Sequence, residues 1–265
     1  MNFARLLSHD YLLPRMVSWV MAMVQTVILL IRKPTKAYLK LAKLILKVKP
    51  NYTMLSIYRI INLYEVVKSV NLRQIEGDIV QCGVWHGGSA AIMAVAHRDE
   101  ECSKRRTIWL FDSFKGLPSP GDKDGQRIKK DYFEGLCKGD VNKVKEIFNR
   151  LDVSLENVKI VEGWFRETLD TPALEKIAVL HMDADWYDSI KIILDKLYHK
   201  VVPEGIIVLD DYWNPLHDGC RQALEDFFKE HSISGMMRRK VDWSAVYFQK
   251  PSSKNQTCDA MAAPL

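Results

Sequence analysis

Four aspartates stand immediately after two short apolar segments of the chain: Asp183, Asp185, Asp210 and Asp211. The first two follow the segment 177–182, and the last two follow the segment 205–209. If these segments are adjacent parallel strands, their carboxyl ends bring the four acids to one edge of a sheet, where each raises the pKa of the others. A divalent cation with oxygen ligands would relieve this repulsion. The pattern therefore predicts a site for Mg²⁺, with Mn²⁺ or Ca²⁺ as substitutes.

A divalent ion held in this way can bind a substrate hydroxyl group, lower its pKa and align it with the methyl group of a sulfonium cofactor. A further carboxylate can then accept the proton. We assign Asp183, Asp210 and Asp211 to the metal and Asp185 to the base, and the reverse roles of Asp183 and Asp185 stay open. Helix capping is the alternative for these acids, and it suits Asp185 better than the Asp210 and Asp211 pair.

A glycine-rich turn follows the apolar segment 79–84 and leads into a predicted helix. Gly83, Gly87 and Gly88 lack side chains, so a ligand can approach the backbone closely there. The spacing does not match the G-x-G-x-x-G pattern of dinucleotide-binding turns, and a purely structural tight turn is the alternative. We interpret the turn as one side of a cofactor site.

Asp112 follows the next apolar segment, 107–111, and would lie beside the glycine-rich turn at the same edge of the sheet. A carboxylate in that position can accept hydrogen bonds from both hydroxyl groups of a ribose. A helix cap or a loop acid is the alternative role. Gly163 and Trp164 follow the third apolar segment and could flank an adenine. Together these residues predict a nucleoside-containing cofactor.

The predicted elements place all of these residues at the ends of strands. Short apolar segments alternate with longer amphipathic ones, which is typical of βαβ units and a mostly parallel sheet. The strands are predicted at 79–84, 107–111, 158–161, 177–182 and 205–209, and the helices at 89–98, 141–150, 187–199 and 219–231. Two further strands, at 236–241 and 244–250, are too close together for a crossover helix and predict a terminal antiparallel hairpin. The sequence therefore predicts an α/β fold with a Rossmann-like sheet of seven strands.

Helical periodicity between residues 36 and 70 predicts an N-terminal helical layer. We divide the chain into a helical and apolar appendage (1–70), a sheet domain (71–251) and a disordered tail (252–265). The apolar run 16–31 is shorter than the roughly 20 residues of a membrane-spanning helix. It predicts either a packed or homo-oligomer-forming helix or, with the basic residues that follow it up to position 49, a peripheral membrane contact.

The composition is that of a globular protein. The 265 residues are 48% hydrophobic and carry a formal net charge of only +5, so we expect no nucleic-acid partner. The five cysteines form no C-x-x-C pair, which argues against a disulfide framework or a zinc site and favours the cytoplasm.

Six blocks of the chain, in order, resemble the macrocin O-methyltransferase (TylF/MycF) family over about residues 52–228. They are YTMLSIYRIINLYEVV, GDIVQCGVWHGGSAA, LFDSFKGLP, EGWFRETL, MDADWYDS and IIVLDDYWNPLHDGCRQALEDF. The resemblance implies a class I methyltransferase fold. It also implies an enzyme that uses S-adenosylmethionine and Mg²⁺ to methylate a hydroxyl group of a sugar-containing small molecule or glycan.

The resemblance further implies a set of cofactor contacts, and it supports Asp183, Asp210 and Asp211 as metal ligands, with Asp183 also near the cofactor. Gln81, where the family has a glutamate, would keep hydrogen-bonding capacity near the ammonium group of the cofactor. The remaining contacts are Thr53 and Met54 from the N-terminal layer, Gly83 and Ser89 on the methionine side, and Asp112 and Ser113 at the ribose.

Two other functions stay open on the sequence alone. Asp183-Ala184-Asp185 is a D-x-D sequence with which a GT-A-like glycosyltransferase could hold a metal-bound sugar nucleotide, although the glycine-rich turn fits that class poorly. Gln81 and the apolar N-terminus would also fit a non-catalytic scaffold that binds S-adenosylmethionine or associates with a membrane. Trp186, beside the acidic turn, could stack on a sugar ring and influence the choice of substrate.

Overall fold

The computed structural model describes residues 19–20, 23–28, 31, 35–100, 105–125, 132–133 and 135–252. Two helices, α1 (Lys36–Val48) and α2 (Ile57–Leu72), precede the sheet, and the described residues between 19 and 31 are also helical. Within these ranges, no helix is long and apolar enough to cross a membrane. The predicted tail beyond residue 252 and parts of the predicted membrane contact at 16–49 lie outside the described residues.

The seven strands form one sheet whose first five members are parallel. They are β1 (Asp78–Cys82), β2 (Ile108–Asp112), β3 (Val158–Glu162), β4 (Ile177–Met182), β5 (Val201–Leu209), β6 (Arg239–Lys240) and β7 (Val246–Gln249). Their order across the sheet is β3-β2-β1-β4-β5-β7-β6, and β7 runs antiparallel to both β5 and β6. The predicted fold class, a mostly parallel sheet that ends in an antiparallel pair, is confirmed.

Helices cover both faces of the sheet because successive strand residues point to opposite sides. The helices that follow α2 are α3 (Gly88–Asp99), α4 (Val141–Arg150), α5 (Phe165–Thr168), α6 (Tyr187–Leu197) and α7 (Asp218–Glu230). Ile79 belongs to the core that α1 to α4 cover, whereas its neighbour Val80 belongs to the core that α6 and α7 cover. The N-terminal layer therefore shares one hydrophobic core with the sheet.

The bounds of β5 and β6 differ most from their predicted ranges. Strand β5 begins at Val201, four residues before the predicted start at 205. The four additional residues belong to the strand because Val201 still pairs with β4, although the register shifts after this pair. Ile177 pairs with Val201 and Val179 pairs with Ile206, so extra residues are accommodated in β5. Strand β6 contains only two residues, where six were predicted.

The N-terminal layer reaches the glycine-rich turn through a backbone contact. Gly88, the first residue of α3, donates its N–H to the Tyr52 carbonyl oxygen at 2.7 Å. A Cβ atom on Gly88 would lie 2.5 Å from that oxygen, so only glycine allows this approach. The segment before α2 is thereby fixed at the edge of the sheet where the predicted site lies.

Candidate active site

A cleft of about 330 Å³ collects the predicted site residues at the carboxyl ends of the parallel strands. It lies where the strand order reverses between β1 and β4, the position at which open α/β sheets bind ligands. Eleven of the thirteen predicted residues line it: Thr53, Met54, Gly83, Ser89, Asp112, Ser113, Gly163, Trp164, Asp183, Asp185 and Asp211. The other two, Gln81 and Asp210, are fully buried and contact residues of the lining.

The glycine-rich turn forms the first wall of the cleft. Gly83 has a φ of +85°, and a Cβ atom there would lie 1.8 Å from the Asp183 carbonyl oxygen. Gln81 supports this wall from behind, because its amide donates to the Gly83 carbonyl oxygen at 2.8 Å and to the Ser89 hydroxyl at 2.7 Å. Gln81 itself does not line the cleft, so it can influence the predicted cofactor site only indirectly, through the position of Gly83 and Ser89.

Asp112 fixes the turn to the end of β2. Its Oδ2 atom accepts the N–H groups of Val84 at 2.6 Å and Trp85 at 2.9 Å. Its Oδ1 atom accepts the N–H of Phe114 at 2.8 Å. Three backbone donors thus hold the carboxylate in place, and a carboxylate with about four acceptor positions keeps capacity for a ribose hydroxyl group.

The predicted adenine side of the cleft follows β3. Gly163 has a φ of +148° and donates its N–H to the Asp112 carbonyl oxygen at 3.0 Å. Trp164 precedes the short helix α5 and lines the cleft beside Gly163. On the opposite rim, Thr53 is buried and Met54 is half-exposed. The structure therefore brings the predicted cofactor contacts of four separate segments to one cavity.

Asp183 begins the acidic wall, directly after β4. None of the described residues donates a hydrogen bond to its carboxylate. Burial, followed by repulsion from Asp210, Asp211 and Asp185, raises the pKa of Asp183 well above its ordinary value. Asp183 is half-buried and lines the cleft. A carboxylate that is partly removed from water and has no hydrogen-bond donor is costly, and a cation is the usual partner in such a position.

Asp210, the first acid after β5, is already paired within the protein. Arg59 Nη1 of α2 donates to its Oδ2 atom at 2.7 Å, and His181 Nε2 lies 3.3 Å from its Oδ1 atom. Burial opposes ionisation of Asp210, but Arg59 and His181 together hold its pKa below the ordinary value. Among the described residues, His181, Asp183 and Asp210 form one group whose ligand atoms all lie within 4.8 Å of one another.

Asp211 faces the cleft, whereas its neighbour Asp210 does not. Its Oδ1 atom accepts from Asn214 Nδ2 at 2.9 Å and from the Ser244 hydroxyl at 3.3 Å. Both donors use the same oxygen, which leaves the Oδ2 atom of Asp211 without a hydrogen-bond donor among the described residues. The free carboxylate oxygens of Asp183 and Asp211 are the donor atoms that a hard divalent ion prefers.

Asp185 has an unusual backbone conformation two residues before the start of α6. Its φ is +59°, and its carbonyl oxygen accepts from Cys220 Sγ at 3.1 Å. His217 Nδ1 lies 3.3 Å from the Asp185 carboxylate, and burial raises the pKa of that carboxylate to about 6 against the attraction of His217. Strained residues of this kind cluster at functional sites.

Four residues of the site escaped the sequence analysis: Arg59, His181, His217 and Trp243. Arg59 lies 151 positions before Asp210, and no local pattern relates the two. His181 has a local signal, because it lies on β4 two positions before Asp183. Trp186 does not play its predicted role, since it is 1% exposed and donates its indole N–H to the Pro118 carbonyl oxygen at 2.8 Å.

The strand order, the reversed β7 and the cleft between β1 and β4 define a class I methyltransferase. A solved structure described as that of the O-methyltransferase NovP has the same fold, with a TM-score of 0.68. Its sequence is 30% identical, and the match covers 76% of this chain and 83% of that one.

The chain belongs to the macrocin-O-methyltransferase (TylF) family, whose sequence profile matches residues 47–250. It is 31% identical over 203 residues to the demethyldecarbamoylnovobiocin O-methyltransferase of Streptomyces niveus, and the match covers 75% of this chain and 76% of that enzyme. It is 30% identical over 202 residues to the 8-demethyl-8-(2,3-dimethoxy-alpha-L-rhamnosyl)-tetracenomycin-C 4'-O-methyltransferase of Streptomyces olivaceus, which covers 75% of each chain.

Family membership confirms the predicted family and enzyme class: the chain is an S-adenosylmethionine-dependent O-methyltransferase. The comparisons do not favour the GT-A-like glycosyltransferase, which would need a sugar nucleotide instead of this cofactor. The non-catalytic scaffold is not favoured either.

Proposed function

We propose that the enzyme transfers the methyl group of S-adenosylmethionine to a hydroxyl group of a sugar or of a glycosylated small molecule. The observation that carries this proposal is the acidic wall, because Asp183, Asp185 and Asp211 face the same cleft as the glycine-rich turn. The name of the Streptomyces olivaceus relative includes a rhamnosyl group, which supports a sugar acceptor.

We propose further that Mg²⁺, or Mn²⁺ in its place, assists the reaction. Asp183 and Asp211 would hold the ion with free carboxylate oxygens, and Asp210 would complete the site from behind. A bound divalent ion lowers the pKa of a hydroxyl group and holds it in position. The carboxylate of Asp183 supports the proposal, since no described residue donates a hydrogen bond to it and repulsion from its acidic neighbours exceeds the attraction of Arg59.

Asp185 is the proposed general base. Its pKa of about 6 leaves it ionised at neutral pH and still basic enough to accept a proton from an activated hydroxyl group. His217 keeps the carboxylate oriented from a distance of 3.3 Å. Asp183 lacks such an orienting partner, which favours Asp185 over Asp183 as the base.

On the cofactor side, Asp112 would be the carboxylate that meets the ribose. Gly83 and Ser89 would admit the methionine portion, Asp112 and Ser113 would bind the ribose, and Gly163 with Trp164 would border the adenine. Because Asp112 is fixed by three backbone N–H groups, it is preorganised before the cofactor arrives.

The proposal is tested by incubating the full chain with S-adenosylmethionine and a panel of p-nitrophenyl glycosides of rhamnose, mannose, glucose and galactose. We expect a mass increase of one methyl group on at least one glycoside, loss of product with EDTA and recovery with Mg²⁺. Product formation that is unchanged in EDTA contradicts the metal proposal, and methylation of catechol alone contradicts the sugar proposal.

A matched pair of variants tests the base. Asp185→Asn should lower kcat by roughly a hundredfold to ten-thousandfold, the usual contribution of a general base. Asp195→Asn, on the exposed side of α6, removes an acid whose one ion-pair partner among the described residues is Lys191, and it should leave kcat unchanged. Equal kcat values for both variants and the wild type would remove Asp185 from the mechanism.

We also propose that the N-terminal region contacts anionic membranes peripherally. Apolar residues of the helical segment are exposed, including Trp19, Val24 and Ile31, and exposed lysines of α1 follow them. Apolar and basic surfaces in this combination bind the interface of acidic lipids. Flotation with phosphatidylglycerol vesicles but not with phosphatidylcholine vesicles is expected. Self-association in light scattering without flotation would instead identify the surface as an oligomer contact.

A further inference from the structure

Trp243 is a large aromatic side chain at the mouth of the active-site cleft. It lies in the turn between β6 and β7, is 58% exposed and lines the cleft. Exposure alone is ordinary for a surface residue. Two other features indicate a binding role: the turn around Trp243 is firmly fixed, and its ring stands beside the acidic residues of the cleft.

Asp242 fixes the backbone that follows Trp243. Its Oδ1 atom accepts the N–H groups of Ser244 and Ala245, each at 2.9 Å. Its Oδ2 atom accepts from the Ser56 hydroxyl at 2.6 Å and from Arg59 Nε at 2.9 Å. Four hydrogen bonds to one carboxylate thus hold the turn against the start of α2. An exposed side chain on so rigid a support loses little conformational entropy when it binds a ligand.

Trp243 stands at the acidic end of the cleft. The hydroxyl of the next residue, Ser244, donates to the Asp210 carbonyl oxygen at 2.7 Å and contacts the Asp211 carboxylate at 3.3 Å. The guanidinium carbon of Arg59 lies 5.7 Å from the centre of the Trp243 ring, a cation–π arrangement that restrains the indole. The ring is therefore placed at the end of the cleft where the acceptor hydroxyl must lie, and not at the glycine-rich turn.

We infer that Trp243 is the stacking platform for the sugar ring of the acceptor, an inference that rests on the proposed function. One face of a pyranose presents mainly C–H groups, while its hydroxyl groups project around the rim. The C–H face of the sugar can pack against the indole face of Trp243. The hydroxyl groups at the rim can form hydrogen bonds with polar side chains that line the same cleft, Arg59 and Asn214. Trp186, which the sequence suggested for this role, is buried and unavailable.

The test compares three variants with the wild type on the best glycoside of the p-nitrophenyl panel. Trp243→Ala should raise the KM for the glycoside about tenfold, in the range expected for loss of an aromatic stacking partner, and leave the KM for S-adenosylmethionine within about twofold. Trp243→Phe keeps an aromatic face and should recover most of the loss. Trp213→Ala is the matched control, because Trp213 is also exposed (46%) but does not line the cleft.

Thermal unfolding of each variant verifies that the fold is intact. The platform is overturned if the wild type methylates the glycoside and Trp243→Ala has an unchanged KM for it, or if the KM for S-adenosylmethionine rises equally. A wild type that methylates catechol and no glycoside overturns the sugar acceptor itself, and the platform with it. That failure is visible before any variant is measured, so the two failures are distinguishable.

Discussion

Asp112 and Asp183 occupy equivalent positions at the ends of two strands that flank β1, yet their surroundings are opposite. Asp112 accepts three backbone N–H groups, whereas the carboxylate of Asp183 receives no hydrogen bond from the described residues. The backbone satisfies the carboxylate of Asp112, whereas that of Asp183 remains without a hydrogen-bond donor among the described residues. A carboxylate at a strand end can therefore brace the backbone or stay open toward a cleft, and the hydrogen-bond donors around it decide which.

The largest expected effect is on Asp183, the unbraced acid. Asp183→Asn should lower the methylation rate on the order of a thousandfold, comparable to loss of a key electrostatic group in an active site. It should not lower the free energy of unfolding measured in EDTA, because it removes a half-buried carboxylate that three neighbouring acids repel. Initial rates and urea denaturation provide the two measurements. A rate near that of the wild type at saturating Mg²⁺ would show that Asp183 is not a ligand.

Asp210 should behave differently although it lies in the same acidic wall. Asp210→Asn leaves Arg59 with only one of its two carboxylate partners and removes the anion beside His181. We expect the free energy of unfolding to fall by about 3 kcal/mol, the usual cost of breaking a buried ion pair. Urea denaturation of Asp183→Asn is the matched control. Equal stabilities of the two variants would contradict the distinction between a paired acid and an unpaired one.

The pH dependence of stability tests the unpaired acids without a substitution. Burial raises the pKa of Asp185 from 3.8 to about 6, so the folded protein retains a proton that the unfolded chain has released between these pH values. Because the folded state binds more protons in this window, stability in EDTA should decrease as pH rises from about 4 through 6, by an amount on the order of 2 kcal/mol.

Added Mg²⁺ should oppose this loss of stability at neutral pH if the acidic wall binds it. Denaturation curves at pH 5 and pH 7, each with EDTA and with Mg²⁺, give the four values required. A stability that rises between pH 5 and pH 7 in EDTA would mean that the acids are neutralised within the protein. That result would contradict the difference drawn between Asp112 and the acids of the opposite wall.

The smallest expected effect is on the braced acid. Asp112→Asn replaces one acceptor oxygen with an amide donor that cannot bond a backbone N–H. The free energy of unfolding should fall by about 1 kcal/mol, the scale of a lost hydrogen bond with compensation by solvent. The KM for S-adenosylmethionine should rise with it, measured at saturating acceptor. If only the KM changes, Asp112 is a ligand residue and not also a brace.

The sheet and its functional edge were predictable from sequence because their signals are local. Short apolar segments marked the five parallel strands, and the acids after them marked the edge of the sheet. Asp112, Asp183 and Asp211 line one cleft at that edge. The bounds of β5 were harder to predict, because irregular pairing with β4 extends the strand through Pro203 and Gly205, two residues that normally end strands.

The partners of the acids were not predictable, because the residues that form each pair are far apart in the sequence. The pairing of Arg59 with Asp210 joins residues 151 positions apart, and its existence depends on how α2 packs over the sheet. The two tryptophans show the same limit. Trp186 directly follows an acidic motif and is buried, whereas Trp243 follows Asp242, outside that motif, and is exposed at the cleft. Proximity to the acidic motif therefore suggested Trp186, the tryptophan that a sugar ring cannot reach.

The ion pairs of Arg59 have a consequence for recombination between members of the family. A gene fragment that begins at residue 71 encodes every strand but lacks this cation, which neutralises Asp210 and Asp242. A chimera that joins the helical layer of one relative to the sheet of another therefore exchanges part of the active site. Such exchanges should yield working enzymes only when α2 and the turn that contains Asp242 are inherited together.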